Sequence, residues 1–144
     1  MRLSMKRLVL AILLTTTIVL GGCGGASAPV ADAPVVQPVQ LELAANIDAA
    51  TVDEIRGRDD VFIVDVREDY EYADGHIPGA VLIPLGQLPN RLSELPEDKT
   101  IVAVCRSGNR SGQATQFLNQ QGFDIHNMQG GMNSWKQAGL EIEQ

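Results

Sequence analysis

Seven consecutive residues, Cys105-Arg106-Ser107-Gly108-Asn109-Arg110-Ser111, bring together a thiol, two guanidinium groups, a glycine, an amide and two hydroxyls. A thiol is a nucleophile as its thiolate, and cations or a helix N-terminus lower its pKa from about 8.5 to roughly 3.5–7.5. Each unit of lowering is about 1.4 kcal/mol in favour of the charged form. Arg106 and Arg110 supply the cations. Gly108 can take the positive φ that lets a short loop close. Backbone N–H groups turned into such a loop form an anion nest. The bland reading of Cys105 is a small buried hydrophobe ending a strand, and its polar company argues against that. Ser107 and Ser111 can donate to the sulfur or to the loop backbone. Ser111 is also placed to N-cap the helix that follows, a role worth about 1 kcal/mol.

Other titratable residues are candidates of a second rank. Asp65 can brace loop N–H groups, and Arg67 can position the loop or meet an anionic donor. The alternative for both is an ion pair with no share in chemistry. His76, in Gly-His-Ile-Pro-Gly, is expected to hydrogen-bond the backbone, because a low-pKa thiolate needs no base. His126 is expected to face solvent on an edge strand, and Trp135 to fill the core under a last helix. No His, Cys, Asp or Glu cluster has metal-ligand spacing, and no metal or organic cofactor is expected.

These residues need elements to position them. Val61–Val64 and Ile101–Val104 are apolar on both faces, as central strands of a parallel sheet are. Val81–Ile83 and Ile125–Met128 are weaker strand candidates. Thr51-x-x-Glu54 reads as a capping box opening a helix that stops at Gly57. Leu85, Leu88, Leu92 and Leu95 repeat at helical spacing, with Pro89 in the first turn. A helix is expected from Ser111 to Gly122, and a short one from Met132 to Ala138. Alternation of strands and helices predicts an α/β domain of three layers around a mainly parallel sheet. The active loop then leaves a strand at its carboxyl end, where open α/β sheets bind ligands.

The chain has 144 residues, 18 acidic and 11 basic, with a formal net charge of -7. An acidic chain lacks the basic face that nucleic-acid phosphates require. Two cysteines are too few for a disulfide-stapled mini-protein. Residues 1–22 hold Arg2, Lys6 and Arg7, then an apolar run from Leu8 to Leu20. At about 1.5 Å per residue that run falls short of the roughly 30 Å bilayer core. A basic start, a short apolar centre and small residues form an export signal. Leu20-Gly21-Gly22-Cys23 resembles the lipobox of bacterial lipoproteins, which implies acylation of Cys23 after cleavage. The protein would then be exported and held by lipid on the outer face of the cytoplasmic membrane or on the outer membrane. Residues 23–40 read as the lipidated cysteine and an Ala/Pro/Gly-rich tether, leaving a domain over 41–144. Removing the signal takes three basic residues and no acid, so the mature chain is more acidic still.

Five motifs occur in order. They are Asp65-Val66-Arg67-Glu68 with Glu71-Tyr72, Gly75-His76-Ile77-Pro78-Gly79-Ala80, Ile83-Pro84, Cys105 to Ser111, and Gly130-Gly131-Met132-x-x-Trp135. Together they resemble the rhodanese (sulfurtransferase) family over about Asn46 to Leu140. The resemblance implies the rhodanese α/β fold, Cys105 as the sulfur-carrying catalytic cysteine and Arg106 to Arg110 as its loop. It also implies a small sulfur donor, such as thiosulfate or a persulfide, and a thiol or protein acceptor. Cysteine phosphatases place five residues between cysteine and arginine; here four separate Cys105 from Arg110, a narrower cup suited to one sulfur. Disulfide exchange needs a resolving cysteine, and Cys23 is expected to be acylated. The remaining alternative is a rhodanese-like module that senses sulfide or redox state, or docks a partner, without turnover.

Overall fold

The computed structural model describes residues 41–144. The expected signal, Cys23 and the tether lie outside them. Among the described residues five strands and four α-helices follow in the order β1 (Asn46–Ile47), α1 (Ala49–Ile55), β2 (Val61–Asp65), α2 (Asp69–Ala73), β3 (Val81–Leu82), β4 (Thr100–Val104), α3 (Asn109–Gln120), β5 (Ile125–Met128) and α4 (Gly131–Gln137), alternating except between β3 and β4. The strands form one sheet in the order β1-β5-β4-β2-β3. All four pairings are parallel. This is the expected α/β architecture, with helices on both faces of a parallel sheet.

Strand β4 shows why the sheet is sandwiched. Its five residues are all buried, and alternate side chains leave on opposite faces. Val102 and Val104 join one core with Val52, Met132 and Trp135. Ile101 and Ala103 join a second with Ala114, Leu118, Leu88 and Leu95. Cys105 belongs to this second core, so the thiol faces α3. Trp135 is fully buried and donates from Nε1 to the Glu141 carbonyl at 2.7 Å.

Four local features differ from the sequence reading. Helix α1 is capped by Asp48, whose carboxylate accepts from the Thr51 N–H at 2.8 Å. The expected box at Thr51 and Glu54 lies inside the helix, because the chain offers a better capping acceptor three residues earlier. The leucine repeat from Leu85 to Leu95 is not one helix but two 3₁₀ turns, Leu88–Asn90 and Leu92–Glu94. Pro89 has no N–H to continue a ladder, yet Leu88 and Leu95 are still buried. Helix α3 starts at Asn109 with Gly108 in the N-cap position at φ 91°, so Ser111 is not the cap. Finally, β5 is internal, because β1 pairs with its far side. His126 is therefore buried rather than solvated, and its Nδ1 lies 2.8 Å from the Ala44 carbonyl.

Candidate active site

Because the sheet is parallel, β2, β4 and β5 all end at one edge. Cys105 follows β4, Asp65 and Arg67 close β2, and Gly130 and Gly131 follow β5. The loop from Cys105 to Gly108 fills the space between them. Two hydrogen bonds pin it to the start of α4: Met132 N–H to the Cys105 carbonyl at 2.8 Å and Asn133 N–H to the Arg106 carbonyl at 3.0 Å. Gly131, at φ 56°, is what allows so close an approach. A Cβ there would collide with the Cys105 carbonyl and lie 2.7 Å from the Arg106 carbonyl carbon.

Cys105 is 1% exposed. The Gly108 N–H donates to Sγ at 3.1 Å and the Ser111 hydroxyl at 3.3 Å. Burial by itself pushes the thiol pKa up. The Ser111 hydroxyl and the N–H groups of Ser111, Ser107 and Gly108 outweigh burial, and the thiol sits below its ordinary value. The sulfur is thus faced by one loop N–H and by a hydroxyl from the first turn of α3.

The two arginines part company. Arg110 is half-buried and bound by Glu71 of α2 through two contacts of 2.7 Å, Nη1 to Oε2 and Nη2 to Oε1. That carboxylate is held below its usual range by the Arg110 guanidinium. Arg106 is exposed and has no ion-pair partner among the described residues. Ser107 and Asn109 are exposed as well.

The supporting residues bond to one another and to nearby backbone. Asp65 is fully buried and Arg67 is 3% exposed. Asp65 accepts from the Arg67 backbone N–H at 3.0 Å and from its Nε and Nη2 at 2.9 and 2.7 Å. Arg67 Nη2 also donates to the Gly75 carbonyl at 3.0 Å. The pair ties the β2 turn to the Gly75 turn and makes no hydrogen bond with the Cys105 loop. His76 stacks on Tyr72 with ring centroids 3.6 Å apart. Its Nδ1 lies 3.1 Å from the Tyr72 carbonyl, and its backbone bridges Glu143 through two bonds of 2.9 Å. It braces the corner between α2 and Glu143.

A family model, the Rhodanese-like domain, matches residues 42–138. The chain belongs to that family. YtwF of Bacillus subtilis is 40% identical to this rhodanese-like domain over 96 residues, 67% of this chain and 93% of that one. A protein named Sulfurtransferase from Allochromatium vinosum is 45% identical over 85 residues, 58% of this chain and 79% of that one. Among solved structures, a rhodanese-related protein from Thermoplasma volcanium is similar at TM-score 0.65 and 33% identity, covering 69% of this chain and 98% of that one.

Two contributors to the rhodanese-like site carry no assigned role in the sequence reading. Glu71 holds Arg110 from 39 residues away, and Asn127 of β5 accepts from the Ser111 hydroxyl at 2.6 Å. Glu71 stands in a family motif, which marks it without explaining it. Asn127 is buried in β5, where a polar side chain needs a partner. Its polarity was the available signal.

Proposed function

We propose that this rhodanese-like domain is a sulfurtransferase that carries a sulfane sulfur on Cys105. The observation behind this reading is a buried thiol with lowered pKa, ringed by N–H and O–H donors at the carboxyl edge of the sheet. The Cys105 thiolate attacks the outer sulfur of a donor such as thiosulfate. An Sγ–S bond forms, the donor's S–S bond breaks, and sulfite leaves with the electron pair. The persulfide anion is one atom longer than the thiolate, and the inward donors stabilise it as an oxyanion hole stabilises developing charge. A thiol or protein acceptor then takes the sulfur, and the thiolate returns. This is covalent, two-stage catalysis. The lipobox-like Cys23 extends the reading to an exported protein held at a membrane by lipid, on sequence alone.

The test is intact-mass measurement after incubation with thiosulfate, followed by addition of a thiol. One added sulfur atom on the wild type, none on Cys105→Ser, and release by the thiol are expected. No addition, or equal addition on Cys105→Ser, would overturn the reading. Stable addition that no thiol removes would point to a sensor instead.

A further inference from the structure

Strand β1 is two residues long and lies at the edge of the sheet. Its backbone fixes what its side chains meet. The Asn127 N–H donates to the Ala45 carbonyl at 2.9 Å and the Gln129 N–H to the Ile47 carbonyl at 2.8 Å. Asn46 is thereby registered opposite Asn127, and Ile47 opposite Met128. Side chains alternate across a strand. Ile47 and Met128 both enter the core that holds Trp135, so Asn46 and Asn127 point to the other face. Ile125, two residues before Asn127, shares the core on that face with Ala114 and Leu118 of α3.

A chain of polar groups runs along this face to the sulfur. Asn46 Oδ1 accepts from Asn127 Nδ2 at 2.8 Å, Asn127 Oδ1 accepts from the Ser111 hydroxyl at 2.6 Å, and that hydroxyl lies 3.3 Å from Cys105 Sγ. An amide has a donor end and an acceptor end. While Asn46 takes the donor end of Asn127, the acceptor end must face Ser111. A Ser111 proton turned to the sulfur then leaves two oxygens 2.6 Å apart with no proton between them. That contact opposes the thiolate. With the amide turned over, Nδ2 would donate to the Ser111 oxygen and leave the proton to the sulfur. Asn127 is buried, so it does not turn over without a partner for its other end. Asn46 is exposed, so water can serve that end once its side chain is gone.

We propose that Asn46 is a positioning residue for the thiol: it holds the Asn127 oxygen towards Ser111 and so limits how far the Ser111 proton serves the sulfur. It touches neither the sulfur nor its loop, and acts through two intervening side chains. Its bearing on catalysis rests on the sulfur-transfer reading above, in which the Cys105 thiolate is the nucleophile.

The experiment follows iodoacetamide alkylation of Cys105 in the full chain against pH, read on the Cys105 peptide by mass spectrometry, at about 0.15 M salt to screen added charge. The proteins are wild type, Asn46→Ala, Asn46→Asp, Ser111→Ala and the double variant of Asn46→Ala with Ser111→Ala. Below the wild-type midpoint, Asn46→Ala should react about fivefold faster, the factor that one net hydrogen bond is worth. A variant that merely loosened the site would react more slowly, because the donors to the sulfur would be lost. Asn46→Asp offers Nδ2 acceptor oxygens only and should restore the wild-type profile. In the Ser111→Ala background, Asn46→Ala should change nothing. An equal or slower rate for Asn46→Ala, a gain that Asn46→Asp shares, or a gain that survives Ser111→Ala would overturn the proposal. Alkylation needs no sulfur donor. Failure of the wild type to load sulfur from thiosulfate would therefore overturn the sulfur-transfer reading and leave the role of Asn46 in ionising the thiol to stand on the alkylation profiles.

Discussion

The Ser111 hydroxyl lies 3.3 Å from Cys105 Sγ and 2.6 Å from Asn127 Oδ1. A hydroxyl has one proton to donate, so the sulfur and the amide oxygen compete for it. Asn127 is itself anchored, donating from Nδ2 to Asn46 Oδ1 at 2.8 Å. The shorter contact favours the amide while the sulfur is neutral. A thiolate is the stronger acceptor and draws the proton its way. The Asn127 side chain of β5 thus bears on how readily the sulfur just past β4 ionises.

This competition predicts opposite effects for two substitutions. Ser111→Ala removes a donor to the thiolate, so the Cys105 pKa rises and alkylation by iodoacetamide at neutral pH slows. Asn127→Ala removes the competitor, so the Cys105 pKa falls and the alkylation profile moves to lower pH. In the Ser111→Ala background, Asn127→Ala should have no further effect on the profile, which is the signature of coupling between the two. Arg106 and Arg110, the cations nearest the sulfur in the chain, are present in all these variants. A pH series of alkylation rates on the four proteins checks the pattern.

The Arg110–Glu71 pair predicts a different behaviour. It joins α3 to α2 through a two-pronged contact, with the Glu71 side chain 13% exposed. Hydrogen bonds to charged groups of this kind are worth about 1.5–3 kcal/mol. Glu71→Gln should cost about 1–2 kcal/mol in urea unfolding, less than the full figure because the amide keeps one acceptor. The pH dependence has a definite sign. The folded Glu71 pKa lies below its unfolded value, so the pair's contribution is complete above the ordinary carboxylate range. It is lost as pH falls through the lowered folded pKa. Wild type and Glu71→Gln should therefore converge in stability towards low pH and separate near neutrality.

What could be read from the sequence follows from how local each signal is. Val61–Val64 and Ile101–Val104 announced themselves because both faces are buried, and the Cys105 loop because its chemistry lies in seven adjacent residues. Helix α2 went unread because it buries no residue, so its apolar pattern is silent. The two-residue β1 is too short to show a period, and without it β5 looks like an edge and His126 like a solvated side chain. Spacing could not separate a helix from two 3₁₀ turns at Leu85 to Leu95, since three-residue repeats serve both. Glu71 and Asn127 reach the site only through tertiary pairing, at separations of 39 and 16 residues.

Gly131 gives the sharpest test of how the loop is held. Its φ of 56° is one that other residues enter at a cost of about 1–2 kcal/mol. A side chain there also meets backbone, with the Ser107 nitrogen 2.8 Å from the added carbon. Backbone cannot rotate away as a flexible side chain can. The collision must instead push the Cys105 loop off α4 and break the Met132 N–H to Cys105 carbonyl bond. Gly131→Ala should therefore lose several kcal/mol of stability, in the range of overpacked cores plus strain. It should also lose the lowered thiol pKa, because the N–H groups that face Sγ move with the loop. Gly57→Ala, where an added carbon meets nothing within 4 Å, should leave the alkylation profile where it is. Thermal unfolding and alkylation against pH on the two variants make the comparison. An unchanged profile in Gly131→Ala would mean that the loop holds its shape without α4.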